Sequence, residues 1–128
     1  MRIRLNSVLV ADQESALRFY TDILGFVKKA DIPAGEYRWL TVVSPDEPDG
    51  AELVLEPNAL PAAAAYQRSL CEVGIPSTAL AVDDIEKEYE RLTALGVVFT
   101  TKPTDTGGAI IAVFDDTCGN LVQIYQVT

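Results

Sequence analysis

The sequence contains no histidine. Histidine is the usual general base of Ser-His-Asp and Cys-His nucleophile pairs, and its imidazole is a common protein ligand of zinc and non-haem iron. Its absence therefore excludes those catalytic groups and every metal site that depends on an imidazole. Cysteine is also scarce, since Cys71 and Cys118 form no CxxC pair and are too few for the usual four-ligand zinc site.

Basic residues are few, with 10 Lys and Arg against 19 Asp and Glu, which gives a formal net charge of −9. Proteins that bind nucleic acid or anionic membranes present a basic surface, so we expect neither partner here. No apolar run approaches the ~20 residues of a membrane-spanning helix. The first residues also lack the apolar core and cleavage site of a signal peptide, so we expect a cytoplasmic protein with reduced thiols.

A hydrophobic content of 48% and a charged content of 23% over 128 residues are typical of one globular domain. Within it the chain repeats one unit. The triplet Leu24-Gly25-Phe26 aligns with Leu95-Gly96-Val97 at an offset of 71 residues, and Asp12 aligns with Asp84 at an offset of 72. Hydrophobic periodicity and turn residues predict strands 3–10, 26–32, 36–44 and 51–56 with helix 13–24 in the first unit, and strands 77–82, 97–101, 109–114 and 121–126 with helix 85–95 in the second.

These patterns predict an α+β fold of two tandem βαβββ modules in a single domain, with module 1 at about 3–57, a linker helix at about 61–74 and module 2 at about 75–127. One helix can cover only one face of each sheet. Pairing the two open faces around a shared concave space would create a pocket for a small molecule.

The chain contains three motifs, which are Val10-x-Asp12…Ala16-x-x-Phe19-Tyr20-x-x-x-Leu24-Gly25-Phe26, then Ala81-Val82-Asp83-Asp84, and Gly119-Asn120-Leu121. In these motifs the chain resembles the vicinal oxygen chelate superfamily, which includes glyoxalase I, bleomycin-resistance proteins and extradiol dioxygenases. The resemblance implies open, U-shaped mixed sheets whose pairing, within one chain or across a dimer, encloses the site. It also suggests that the protein forms a homodimer.

The catalytic members of that superfamily hold a divalent metal, and the resemblance places their ligand positions on Leu5, Glu52, Ser77 and Gln123. Only Glu52 retains a family ligand. Leu5 has no donor atom, and the other two offer neutral oxygens, so zinc or nickel would lack its preferred ligands. We therefore expect no cofactor and no metal held by the protein, although oxygen donors leave a hard cation such as Mg²⁺ as the disfavoured alternative.

Side chains alternate along a strand, so the residues that share a face with these four positions predict the pocket wall. Trp39 and Arg38 are adjacent on strand 36–44, so one of them faces the pocket and the sequence does not say which. With these two, the predicted ligand-binding residues are Leu5, Ser7, Glu52, Val54, Ser77, Ala79, Gln123 and Tyr125.

This largely apolar wall predicts a protein that binds a small molecule without performing chemistry, and the acidic chain favours a cationic or aromatic ligand. The first alternative is a lyase, isomerase or dioxygenase, either metal-dependent or metal-free. Its only candidate general base is Glu52, and no other catalytic residue is apparent. The second alternative is a non-catalytic partner or sensor module.

Overall fold

The computed structural model describes residues 1–128 and divides into two compact units, Met1–Ala65 and Tyr66–Thr128. Along the chain, each unit has the order of one strand, one helix and three strands that the repeat predicts, so the α+β fold of two tandem βαβββ modules is confirmed. The elements are β1 (Leu5–Val10), α1 (Gln13–Arg18), β2 (Val27–Ala34), β3 (Tyr37–Val43), β4 (Glu52–Pro57), α2 (Pro61–Val73), β5 (Thr78–Ala81), α3 (Ile85–Ala94), β6 (Phe99–Asp105), β7 (Ala109–Asp115) and β8 (Leu121–Val127).

The first unit forms a mixed four-stranded sheet in the order β1-β4-β3-β2, in which only β1 and β4 are parallel. The helix α1 begins at its N-cap Asp12, whose side chain accepts a hydrogen bond from the backbone N–H of Ser15. It covers one face of the sheet. The side chains buried in this unit's core are Val8, Val10, Ala16, Tyr20, Leu40, Val42 and Leu55.

The second unit repeats this arrangement in the order β5-β8-β7-β6, again with one parallel pair, β5 and β8. Asp84 is the N-cap of α3, at the position that aligns with Asp12. Phe99 packs edge-on between two rings, with centroids 4.7 Å from Tyr89 and 5.6 Å from Phe114. Aromatic contacts of this geometry join the helix to the covered face of the sheet.

The predicted helix 13–24 differs from the observed one. Its α-helical part ends at Arg18, and a π-helix follows over Phe19–Ile23. The Leu24 N–H donates to the Phe19 carbonyl, five residues back, at 3.0 Å. Phe19 and Tyr20 are both buried and meet edge-on at 5.6 Å. The wider turn of the π-helix lets both of these consecutive rings enter the core. A regular turn of 3.6 residues would direct the two rings farther apart.

The helix α2 lies where the sequence predicts it, and one buried side chain ties it to the β7–β8 loop. The Gln67 side-chain amide donates to the Cys118 carbonyl and to Oδ1 of Asn120, both at 3.2 Å. Gly119 lies directly beneath that amide with a φ of +103°, and a Cβ there would stand 2.7 Å from Gln67 Nε2. Only glycine fits, because the backbone is left-handed and the space is filled. None of the helices combines the length and the hydropathy of a membrane-spanning segment.

Candidate functional site

The sheet face opposite α1 in the first unit carries most of the predicted residues of that unit. The parallel β1–β4 register pairs Leu5 with Glu52 and Ser7 with Val54. Side chains alternate along each strand, so all four share the face that the helix leaves uncovered. Leu5 is 50% exposed and Val54 is buried, so this face has an apolar floor and an open rim.

A depression of about 230 Å³ lies on this open face. Trp39 borders it on β3 and Glu56 borders it on β4, and Trp39 is 39% exposed. No lysine or arginine side chain borders it, so its only charged group is a carboxylate. The lining residues are Leu5, Asn6, Ser7, Trp39, Val54 and Glu56.

The choice that the sequence leaves open between Trp39 and Arg38 is decided by long-range contacts. Arg38 points to the α1 side, where its guanidinium contacts Glu14 at 2.6 Å and Asp31 at 2.8 Å. Trp39 therefore faces the opposite, open side. The structure places Arg38 outside the depression, although the sequence includes it among the candidate ligand-binding residues.

The ion pairs of Arg38 join β2, β3 and α1. The side chains of Arg38 and Asp31 are 28% and 25% exposed, so water only partly screens the pair. Hydrogen bonds from Arg38, with a smaller contribution from Lys28, lower the pKa of Asp31 to about 2 from 3.8. The same contacts with Asp31 and Glu14 raise the pKa of Arg38.

The Asp31→Asn variant should remove one source of acid sensitivity. The pKa of Asp31 is lower in the folded chain than its ordinary value, so its stabilising effect is fully present above pH 3.8 and is lost as the pH falls towards 2. We expect the free energy of unfolding of the wild type to fall more steeply over this range than that of the variant. Urea denaturation at several pH values measures the difference. Asp49→Asn, which alters a carboxylate that is 97% exposed, is the control, and equal slopes for all three proteins would contradict the prediction.

Glu52 lies beside the depression rather than in its lining. Its Oε1 accepts a hydrogen bond of 2.7 Å from the Thr41 hydroxyl, and that hydroxyl oxygen accepts one from the Ala30 N–H at 3.2 Å. The residue is half-buried, and Leu5, its strand partner, offers no polar atom. This arrangement fixes the carboxylate on the open face, and its role as a general base stays a prediction.

The predicted residues of the second unit lie around β8. Gln123 pairs with Ala79, and Tyr125 pairs with Ala81 on one side and Ile111 on the other. Ser77 precedes β5, and its hydroxyl donates to Oδ1 of Asn120 at 3.0 Å. Gln123 and Glu52 occupy corresponding positions in the two units, but their strand partners do not correspond. Glu52 pairs with Leu5, which aligns with Ser77, whereas Gln123 pairs with Ala79.

The four positions that the resemblance assigns to metal ligands offer few donor atoms in this chain. Leu5 has no donor, and the Ser77 hydroxyl is already used within the fold. No group of three or more His, Cys, Asp or Glu side chains comes together as a metal site would require. The residues present therefore do not fit a transition-metal ion of the family type.

Two residues of this region, Gln13 and Thr41, are not among the sequence candidates. Thr41 holds the Glu52 carboxylate, and Gln13 is 8% exposed and bonds to the backbone of β3 and β4. A threonine within an apolar strand and a glutamine in the first turn of a helix are ordinary at such positions. The contacts of these two residues depend on how β3 and β4 lie beside each other. No pattern in a single sequence indicates that arrangement.

Comparison with known proteins agrees with this geometry. The family model of the glyoxalase/bleomycin resistance protein/dioxygenase superfamily matches residues 3–124. The uncharacterized protein YurT of Bacillus subtilis is 57% identical over 98% of this chain and 99% of its own length. The crystal structure of UcmS2 has a TM-score of 0.84 at 35% identity, covering 98% of this chain and 97% of that one. TnmS3, an antibiotic-binding protein from Streptomyces sp. CB03234, has a TM-score of 0.77 at 29% identity, covering 100% of this chain and 97% of that one. This chain therefore belongs to the glyoxalase/bleomycin resistance protein/dioxygenase superfamily.

Proposed function

We propose that this chain binds a small, planar, positively charged aromatic molecule in the depression of the first unit. The observation that supports the proposal is the joint presence of Trp39 and Glu56 at the depression, with no basic side chain beside them. An aromatic face and an isolated carboxylate together select a flat cation.

The tryptophan supplies the attraction for the ring system. Trp39 keeps 39% of its surface exposed although it lies on a strand with a buried core face. An exposed indole stacks on aromatic ligands and attracts cations through the negative face of its π-system. The depression is smaller than most enclosed ligand pockets, which measure roughly 300–1,000 Å³. It therefore suits a flat ligand that remains partly in solvent.

The carboxylate of Glu56 makes the site prefer a positively charged ligand. Glu56 is exposed at the rim of the depression, and the chain as a whole carries a net charge of −9. Both favour a cation over an anion, the first through direct pairing and the second by raising the local concentration of cations. The antibiotic-binding activity of TnmS3, which has the same fold, further supports small-molecule binding in this family.

Two fluorescent or absorbing tricyclic probes of similar size test the proposal. Proflavine is a planar cation at neutral pH, and anthracene-9-carboxylate is a planar anion. Each is titrated into the protein while the emission of Trp39, the only tryptophan, is recorded. We expect saturable quenching by proflavine and at least about tenfold weaker binding of the anion, since a charge preference of this size corresponds to about 1.4 kcal/mol. Failure of both probes to bind would overturn the proposal.

The Glu56→Gln variant tests the source of the charge preference. We expect its proflavine Kd to rise about twofold to fivefold, because one exposed charge contact contributes about 0.5–1 kcal/mol. The effect should shrink at high ionic strength because salt screens exposed charges. Glu72→Gln on α2 removes the same charge from another exposed position and should leave the Kd unchanged. Equal effects of the two variants would assign the preference to overall charge and not to this site.

A further inference from the structure

The strands β3 and β4 pair over only part of their length. Their register comprises the pairs Thr41–Val54 and Val42–Leu53, although β3 begins at Tyr37 and β4 continues to Pro57. The two strands therefore diverge towards one end of the sheet. Their diverging segments carry the two residues of the proposed ligand site, Trp39 and Glu56.

The side chain of Gln13 fills this divergence. Its Nε2 donates to the Arg38 carbonyl at 2.7 Å and to the Leu55 carbonyl at 2.9 Å, and its Oε1 accepts from the Arg38 N–H at 3.0 Å. Both N–H donors of the amide and its oxygen are thus bonded to the backbones of the two strands. Backbone groups that have lost their ladder partners are costly when buried, and the amide satisfies them.

The second unit provides an internal comparison. Ile85 begins α3 as Gln13 begins α1, and each follows its N-cap aspartate. Ile85 is fully buried and has no polar side-chain atom. The corresponding strands β7 and β8 pair continuously from Ala109–Val127 to Asp115–Leu121. The unit with glutamine at this position has the divided ladder, and the unit with isoleucine has the complete one.

The divergence is what leaves room for the depression. Extending the β3–β4 register by two residues would place Trp39 directly opposite Glu56, with Cα atoms ~4.5 Å apart as in a non-hydrogen-bonded pair. The two side chains would then contact each other and cover Val54. A third residue of extension would place Arg38 opposite Pro57, which has no backbone N–H to give to the Arg38 carbonyl.

We propose that Gln13 is a positioning residue of this ligand site, whose amide holds β3 and β4 apart and thereby sets the distance between Trp39 and Glu56. The inference rests on the proposed function for the meaning of the depression. The placement of Trp39 by Gln13 can nevertheless be tested without any ligand. Gln13 does not line the depression and acts only through the backbone of its neighbours.

The Gln13→Met variant keeps the length of the side chain and removes its hydrogen bonds. We expect the constant for quenching of Trp39 emission by acrylamide to change at least about twofold. The reason is that the backbone of Arg38, next to Trp39 on β3, would lose its hydrogen bonds to the Gln13 amide. The proflavine Kd should rise at least about tenfold, the loss expected when a site is held less firmly. Gln67→Met is the matched control, because it removes an equally buried glutamine amide in the second unit. It should lower stability and leave both readouts unchanged.

A folded Gln13→Met variant with wild-type quenching and wild-type Kd would overturn the proposal. Should proflavine fail to bind the wild type, the quenching comparison still tests the placement of Trp39, so the two proposals fail separately.

A measurement on the wild-type protein tests the inference if the Gln13→Met variant does not fold. The side-chain NH₂ resonances of Gln13 should shift when the protein is saturated with proflavine, whereas those of Gln67 should not. Unshifted Gln13 resonances at saturation would overturn the inference.

Discussion

Replacing Trp39 with alanine should weaken proflavine binding about thirtyfold, since an aromatic stacking contact with a cation is worth about 2 kcal/mol. Trp39 is the only aromatic side chain that lines the depression. Its loss removes the stacking surface and leaves the carboxylate of Glu56 in place. Binding should therefore become weak and strongly dependent on salt. The emission of proflavine itself measures the Kd, because the variant has no tryptophan.

Two further variants separate a specific effect from a general one. Trp39→Phe keeps a ring at the same position and should lose less affinity than the alanine variant. Tyr66→Ala removes an aromatic side chain that is 62% exposed on α2, and it should bind proflavine as the wild type does. Because Trp39 is partly exposed, its replacement should cost little stability, and circular dichroism checks that the fold is kept. Wild-type affinity in the alanine variant would disprove a ligand site at this tryptophan.

The largest effect on stability should come from Asp116→Ala, which we expect to lower the free energy of unfolding by about 3 kcal/mol. Asp116 is fully buried in the loop between β7 and β8. Its carboxylate accepts hydrogen bonds from the backbone N–H groups of Cys118 and Asn120 at 2.7 and 3.0 Å, and from the Asn120 side chain at 2.8 Å. Alanine removes the acceptor of all three while the donors stay buried.

Urea denaturation monitored by circular dichroism gives the size of this effect. Asp116→Asn keeps the shape and the oxygen that accepts both backbone bonds, so it should cost about 1 kcal/mol. The exposed neighbour Asp115 accepts one bond from the Thr117 N–H at 2.7 Å, and Asp115→Ala should also cost no more than about 1 kcal/mol. If the two alanine variants were equally stable, the buried network would not be what holds this loop.

Much of the fold could be predicted from the sequence because the repeat is local and regular. The Leu-Gly pairs at the helix ends and the aspartates at the helix starts mark the same elements twice, and the α+β architecture follows from their order. The residues of β1 and β4 that share the open face also follow from simple alternation, as Leu5, Ser7 and Val54 illustrate.

Two features of the site could not be predicted, because they depend on contacts between residues that are distant in sequence. Alternation alone could not decide between Trp39 and Arg38, because the decision lies with Asp31 and Glu14 on other elements. Similarly, the divergence of β3 from β4 depends on an amide that is 25 residues from Arg38 and 42 residues from Leu55 along the chain. No local pattern marks a glutamine for that role.

The outer strands of the two sheets have a consequence for solubility. β2 and β6 each form one edge, and each contains a proline, Pro33 and Pro103. Lysines accompany them at positions 28, 29 and 102. A proline interrupts the row of donors that an incoming strand would need, and lysine charges repel a second copy of the same edge. Fibril growth by strand addition is thus disfavoured at the edges that β2 and β6 form.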